Sequence, residues 1–464
     1  MLVERLLGDV KAFRNNPLDT VVAATQGRAV GSIRLGHRRL FLTADPSVAR
    51  SILIDNSANW EKGVEVESMR PVFGDGLVTG QGEDWSTARQ ALNPAFKPRH
   101  VRDGLGVAAD RLLREVAYLA ANGESVDLHA FTGRATLITV TNALFGMTLS
   151  DRDLARLPAA VAKGHDWITQ HATSIAPVPR AIPTPANRRL ASVVACLRDA
   201  AARIYDAMPD NAMRRGLDRI AAEFGHAVAR DHIVTLLVAG FETSASSATW
   251  MLYLIAERPA LAARLRSVQA ASGRTPQTMI QDPLTAAVIK ETLRLYPAIW
   301  WFARRPVTCC ELGGIRVPRH ASVILVPWAL HRDPALWTAA ESFDPDRWLT
   351  GAVPEDRLAW MPFGAGERAC IGRNLALAQL ATLLTVCVEA FDMRALSGPA
   401  AQLAPYGGVS LGPPQDRTMA LAFTARRPEP TISVLPAMRR CGAAQPHTGR
   451  QRQKAAPVHP RTTC

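Results

Sequence analysis

With 464 residues the chain is long enough to bury a large core, and length alone would allow about three domains. Its formal net charge is +13, but +7 of that falls in residues 425–464, where eight Lys or Arg stand against one acid, Glu429. That tail is rich in Pro, Ala, Gln and Thr without apolar periodicity, so disorder is expected there, and the +6 left on the body gives little reason to expect a nucleic-acid partner.

Charges at Glu4, Arg5, Asp9, Lys11 and Arg14 interrupt the N-terminal stretch, so neither a signal peptide nor a membrane anchor is expected. Seven cysteines without a C-x-x-C pair suit a reducing compartment, and a soluble cytoplasmic protein is the expectation. Val30 to Leu35 and Arg39 to Thr43 read as a hairpin around Gly36-His37, followed by a helix that Asp45 caps and Pro46 opens. Glu61 to Gly82 holds five glycines and no sustained period, so it reads as a loop. Trp85 and Arg89 then share one helix face at i, i+4, where both can donate to a carboxylate, and Asn93-Pro-Ala-Phe96 follows.

Residues 102–149 and 151–170 read as amphipathic helices, and prolines 177, 179, 183 and 185 make a loop of 176–186. Cys196 and Cys387 fall in helical stretches as core fillers, while the adjacent Cys309 and Cys310 have no evident role. A long helix is predicted from His226 to Glu257, apolar on several faces as a core-crossing helix would be. Inside it lies Ala239-Gly240-Phe241-Glu242-Thr243. Its small residues allow a flat group to approach, and an acid beside an alcohol can relay protons. The bland alternative is a glycine kept for helix packing.

Pro283 opens a helix that carries Glu291 and Arg294 and stops before Pro297. The apolar residues around the pair imply burial, which needs further hydrogen bonds to offset desolvation, and Arg347 is placed to give them. Strands are expected at 314–317 and 322–326, a turn without a ligand role at His331, and a last helix at 371–391. Between them lies Phe363-Gly-Ala-Gly-Glu-Arg-Ala-Cys-Ile-Gly372. A cysteine at a helix N-terminus faces unpaired N–H groups, which predicts a depressed thiol pKa and a metal-ligating thiolate at Cys370. Gly364, Gly366 and Gly372 permit a tight turn, Phe363 can shield the sulfur, and Arg368 is placed to meet an anion.

The pattern Phe-x-x-Gly-x-Arg-x-Cys-x-Gly at Phe363, Gly366, Arg368, Cys370 and Gly372 resembles the haem-binding signature of the cytochrome P-450 superfamily. The Trp85/Arg89 pair, the Ala239–Thr243 segment and Glu291-x-x-Arg294 resemble three further motifs of that family, in its order, with Phe241 where histidine is common. The resemblance spans residues 28–424. It implies a fold that is mainly α with a small β portion, holding haem b between the long central helix and the cysteine loop. It also implies one catalytic domain over 1–424, followed by the basic tail 425–464.

On the same resemblance Cys370 is the iron ligand, and Ala239, Gly240, Phe363, Gly364 and Gly372 lie against the cofactor. Trp85, Arg89, Arg304 and Arg368 clamp its propionates, with Arg305 the alternative to Arg304. Glu242 and Thr243 activate oxygen and deliver protons, while Glu291, Arg294 and Arg347 brace the cysteine loop. Val238, Trp300, Trp301, Phe302 and Val409 line a largely apolar substrate pocket, which 61–82 covers and 176–186 overlies. The last pocket turn, 406–411, departs from the family with Gly412 where arginine is frequent. The implied reaction is monooxygenation with O2, using electrons from a separate ferredoxin or flavodoxin and its reductase, since no flavin or nicotinamide fingerprint follows the cysteine helix. Peroxide-driven oxidation, coupling or rearrangement is the enzymatic alternative, and a haem sensor or carrier the non-enzymatic one.

Overall fold

The computed structural model describes residues 8–36, 38–121, 125–172, 174, 178–271 and 281–426. His37, Pro177 and all of the basic tail beyond residue 426 lie outside them, and the described residues belong to one compact unit.

The organising element is the helix His226–Ala256, whose 31 residues make it roughly 46 Å long at the α-helical rise. It is apolar around most of its circumference because other helices surround it, and Trp250, Met251, Leu252 and Tyr253 in succession are wholly buried. Leu128–Phe145 packs along it. Thr136 and Thr132 of that helix donate to the carbonyls of Phe241 (3.0 Å) and Ala245 (3.1 Å), tying the two together at the Ala239–Thr243 segment. The cysteine helix Arg373–Ala390 lies against the same core, where Gln379 accepts from Ser244 at 2.8 Å.

Helix boundaries follow the caps. Asp45 accepts from the Ser47 and Val48 amides, Asp127 from those of His129 and Ala130, and Asp282 from that of Thr285. The predicted 102–149 stretch is two helices, Pro98–Ala121 and Leu128–Phe145, separated by the edge strand Ser125–Asp127. That strand exists because Ala420–Ala425, far along the chain, pairs with it, Leu421 opposite Val126, a partner that local periodicity cannot show. Asp151–Ala172 is helical despite Pro158, and 178–184 is irregular before Pro185–Ala207 begins.

The β portion is small. A five-stranded sheet runs in the order Gly31–Leu35, Arg38–Thr43, Ser322–Leu325, Phe302–Pro306, Trp60–Lys62, antiparallel except for the second and third strands. Residues 61–82 are therefore not simply a loop: Glu61 and Lys62 end an edge strand, and short helical turns at Val64–Ser68 and Arg70–Phe73 follow. The register opposes Lys62 to Arg304 and Glu61 to Arg305. Because strand side chains alternate between faces, Lys62 and Arg304 turn inward while Arg305 meets Glu61 at 2.9 Å on the outside.

Glu291 and Arg294 are fully buried and Arg347 is 3% exposed. The Glu291 carboxylate accepts from Arg294, Arg347 Nε (3.0 Å), Trp348 Nε1 (2.9 Å) and the Asp344 amide (3.0 Å). The group clamps the 331–348 meander directly and reaches the cysteine loop through His331. Its Nδ1 faces the Arg294 carbonyl at 3.1 Å, and its Nε2 accepts from the Met361 amide at 3.0 Å. His331 is thus a buried connector rather than a simple turn residue, held neutral by burial with a pKa pushed down to about 3. Cys387 is buried as a core filler, Cys196 only partly so, and Cys309 is exposed.

Candidate active site

A cavity of about 690 Å³ separates the central helix from the cysteine loop. The loop turns at Gly364 and Gly366, both with positive φ (64° and 68°), and a Cβ on Gly366 would stand 1.9 Å from the Leu53 carbonyl oxygen. Gly372 has an ordinary φ of −85°, so the turn itself does not require glycine there. The Cys370 amide donates to the Phe363 carbonyl at 2.9 Å, closing the loop and aiming the thiol into the cavity. Phe363 packs edge-on to Trp360, with the Arg373 guanidinium on its face.

Contrary to the expected depression, desolvation within the protein pushes the Cys370 thiol up, although its residue stays open to the cavity it lines. The Gly372 N–H and the charges of Arg89 and Arg373 offset that only in part. Without a cation at the sulfur, desolvation outweighs the helix terminus; a coordinated thiol is deprotonated outright.

One wall carries a cluster of cations. The Arg368 guanidinium lies 4.0 Å from the centre of the Trp85 ring, and Arg89 lies 5.6 Å from it while donating to the Ala369 carbonyl at 2.7 Å. Arg304 faces the same space, its pKa lowered to about 10 by burial and by Arg368. Arg368 Nη1 is buried with no partner in the protein. Sequence reasoning missed a fourth basic side chain, Lys62; its signal lies in the strand register, which no local pattern reveals. Its pKa falls to about 6 through burial first, then the charges of Arg368, Arg304, Arg70 and Arg89. A neutral amine has two hydrogens, and the carbonyls of Leu77 and Val78 accept them at 2.7 Å each.

The opposite wall is the central helix. Thr243 and Ala239 line the cavity, and the Thr243 hydroxyl donates to the Ala239 carbonyl at 2.7 Å. Gly240 also lines it, yet a Cβ there would meet Val140 Cγ2 at 3.0 Å, so glycine at this position serves helix packing as well. Glu242 does not point at Thr243: its Oε1 accepts from Ser410 at 2.6 Å, with His165 Nδ1 3.5 Å away. Burial pushes its carboxyl up, but the nearby His165 and the hydrogen bonds from His165 and Ser410 more than reverse this, holding it below the ordinary range. Val238, Trp300, Trp301, Phe302 and Val409 all line the cavity. Trp300 does so from within the core, its indole N–H bonded to the Gly408 carbonyl at 2.9 Å.

A family model described as Cytochrome P450 matches residues 6–418. The chain belongs to the cytochrome P450 family. It is similar to the cyclooctatin synthase of Streptomyces melanosporofaciens, 29% identical over 88% of this chain and 92% of that one. It is also similar to the pentalenene oxygenase of Streptomyces avermitilis, 27% identical over 91% and 96% of the two chains. A crystal structure of a cytochrome P450 superposes with a TM-score of 0.77 at 23% identity, covering 91% of this chain and 97% of that chain, and so shares the fold.

This P450 is accordingly a monooxygenase that uses haem b, O2, an apolar substrate and a separate electron donor. The site fits the cofactor: a thiol and an apolar helix face each other across the cavity. The desolvated Arg304 and the orphaned Arg368 nitrogen call for carboxylates at one edge. No helix among the described residues is long and apolar enough to cross a membrane.

Lys62 gives the P450 a testable pH signature. Between pH of about 6 and 10.5 the folded haem-free protein binds fewer protons at this amine than the unfolded chain, so stability rises with pH across that window. Lys62→Met is expected to flatten the rise, as measured by urea denaturation of haem-free protein at pH of about 6.5 and about 9. An unchanged pH slope would contradict a neutral buried amine.

Proposed function

We propose that this P450 oxygenates a cyclic terpenoid or a similarly rigid apolar skeleton, drawing electrons from a ferredoxin or flavodoxin in the cytoplasm. The observation that carries the reading is the pairing of Cys370 and Thr243 on opposite walls of one cavity, whose remaining walls include Val238, Phe302, Leu236, Ile168 and Val409. Relatives named as a pentalenene oxygenase and as a cyclooctat-9-en-7-ol 5-monooxygenase support the substrate class.

In this reading residues 1–424 form the single catalytic domain and 425–464 a basic tail outside it. Cys370 is the iron ligand, Phe363 and Gly364 shape its approach, and Gly372 leaves the thiol uncovered. Haem bound there supplies the activation of dioxygen. Arg89, Arg304, Arg368 and the Trp85 indole hold the propionates, with Lys62 beside them. Thr243 holds a hydroxyl proton against the Ala239 carbonyl, from which it can turn into the cavity, and Glu242 replaces that proton. Trp300, Trp301 and Phe302 keep the substrate side dry. Glu291, Arg294 and Arg347 keep the cysteine loop in place.

The test uses pentalenene and cyclooctat-9-en-7-ol as probes, with NADPH, a ferredoxin and its reductase. Either probe is expected to shift the ferric spin state and to yield a product carrying one atom from labelled O2. Thr243→Ala should retain haem while diverting most reducing equivalents to peroxide or water. Labelled water in the product, or unaltered coupling in Thr243→Ala, would sink the assignment.

A further inference from the structure

The carboxylate of Glu242 is held by two side chains that the family motifs do not include. Ser410, in the final turn, donates to Oε1 at 2.6 Å, and His165, on the helix Asp151–Ala172, places Nδ1 3.5 Å from the same oxygen. Three separate elements therefore meet on one carboxylate. Thr243 takes no part, because its hydroxyl is bonded to Ala239.

An acid that passes protons onward has to be recharged. A serine hydroxyl is too weak an acid to do so at neutral pH, and Ser410 already spends its hydrogen on Oε1. His129 influences Glu242 from the helix Leu128–Phe145, but its Nδ1 is engaged with Thr249 at 3.2 Å. His165 is the titratable side chain in contact with the carboxylate. Phe73 stacks on its ring at 6.4 Å and an interplanar angle of 22°, which fixes the ring plane, and its Nε2 has no protein partner.

Other charged groups around His165 are committed elsewhere. On the adjoining turn Val64–Ser68, Glu65 pairs with Arg38 and Glu67 with Arg70; from the helix Pro185–Ala207, Arg198 faces Asp231. Asp166 follows His165 in the chain and is exposed.

Resting on the monooxygenase reading, we propose that His165 is the proton source for Glu242, a positioning residue that acts through the carboxylate. The Nδ1–H bond of the imidazolium breaks as an O–H bond forms at Oε1, leaving neutral imidazole and a carboxylic acid. Glu242 then turns from Ser410 toward Thr243 and gives up the proton, and the Nδ1 thereby uncovered takes a proton back from solvent in the cavity that His165 lines. No electron moves in this exchange. Ser410 sets the resting orientation, so the acid is recharged facing away from the reaction space and delivers facing it.

The test begins without substrate or turnover. In full-length protein labelled with ¹³C at histidine Cε1 and held as the ferrous carbonyl complex, one imidazole resonance is expected to vanish in His165→Gln. In Glu242→Gln that resonance should be displaced, because the ring loses the carboxylate that lies 3.5 Å from Nδ1. Should His165→Gln fail to fold, the same resonance is the one displaced by Glu242→Gln.

A His165 resonance indifferent to Glu242→Gln overturns the proposal whatever the substrate proves to be. With NADPH, a ferredoxin and its reductase, His165→Gln is expected to lower oxygen consumption at least about tenfold and to enlarge the solvent deuterium effect, while His165→Gln of normal carbonyl spectrum confirms intact haem ligation. Glutamine keeps a hydrogen bond but cannot pass a proton, so a rate equal to wild type also overturns it.

Discussion

Replacing Cys370 by serine is expected to abolish the red-shifted Soret band of the ferrous carbonyl complex while leaving the fold intact. The substitution exchanges sulfur for oxygen at a position whose backbone does the structural work: the Cys370 amide is bonded to Phe363 at 2.9 Å, and Gly364 and Gly366 set the turn. None of those contacts uses the side chain. A hydroxyl is a far weaker acid than a thiol and a harder ligand, so even where haem stays in the cavity, the electron-rich thiolate is lost. The cavity-lining Arg89, Arg304 and Arg368, proposed to hold the propionates, are untouched, so some haem retention is expected. Far-ultraviolet circular dichroism should match wild type. A Cys370→Ser protein with the unshifted wild-type carbonyl spectrum would mean that another residue holds the iron.

The cysteine loop was legible because its chemistry is local: glycines, an arginine and a cysteine within ten residues leave few structural alternatives. The buried Glu291–Arg294 pair was legible for a similar reason, since apolar neighbours on every side of an ion pair force it to find partners. Lys62 and His165 were not. Lys62 lies in a stretch that glycine content marks as a loop, and it becomes an inward-facing amine only because Phe302–Pro306 pairs with it in a particular register, Lys62 opposite Arg304. His165 is one polar residue on an amphipathic helix, and nothing nearby in the sequence tells which way it turns. The expected depression of the Cys370 pKa erred by weighing the helix terminus without the desolvation imposed by the folded surroundings.

Arg294→Ala is expected to destabilise the protein by about 3–5 kcal/mol, the range for leaving a buried charge without its partner. Arg294 Nε and Nη2 bond the Glu291 carboxylate at 2.9 and 2.8 Å. The remaining donors reach the carbonyls of His331, Ala340 and Ser342 at 2.7, 2.6 and 2.9 Å. Alanine orphans all of these at once, and no water replaces them readily because Glu291 and Arg294 are both 0% exposed. Arg294→Lys should do little better, since one ammonium cannot span a planar fork and three separate carbonyls.

The effect should reach the haem. With its carbonyl bonded to His331, Arg294 fixes the imidazole that holds the Met361 amide at the start of the cysteine loop. Haem dissociation should therefore quicken in step with the fall in the urea midpoint, whereas removing the exposed Arg264–Asp346 pair should cost at most about 1 kcal/mol and leave haem retention alone. An Arg294→Ala protein within about 1 kcal/mol of wild type would show that the buried cluster is not what keeps the cysteine loop in place.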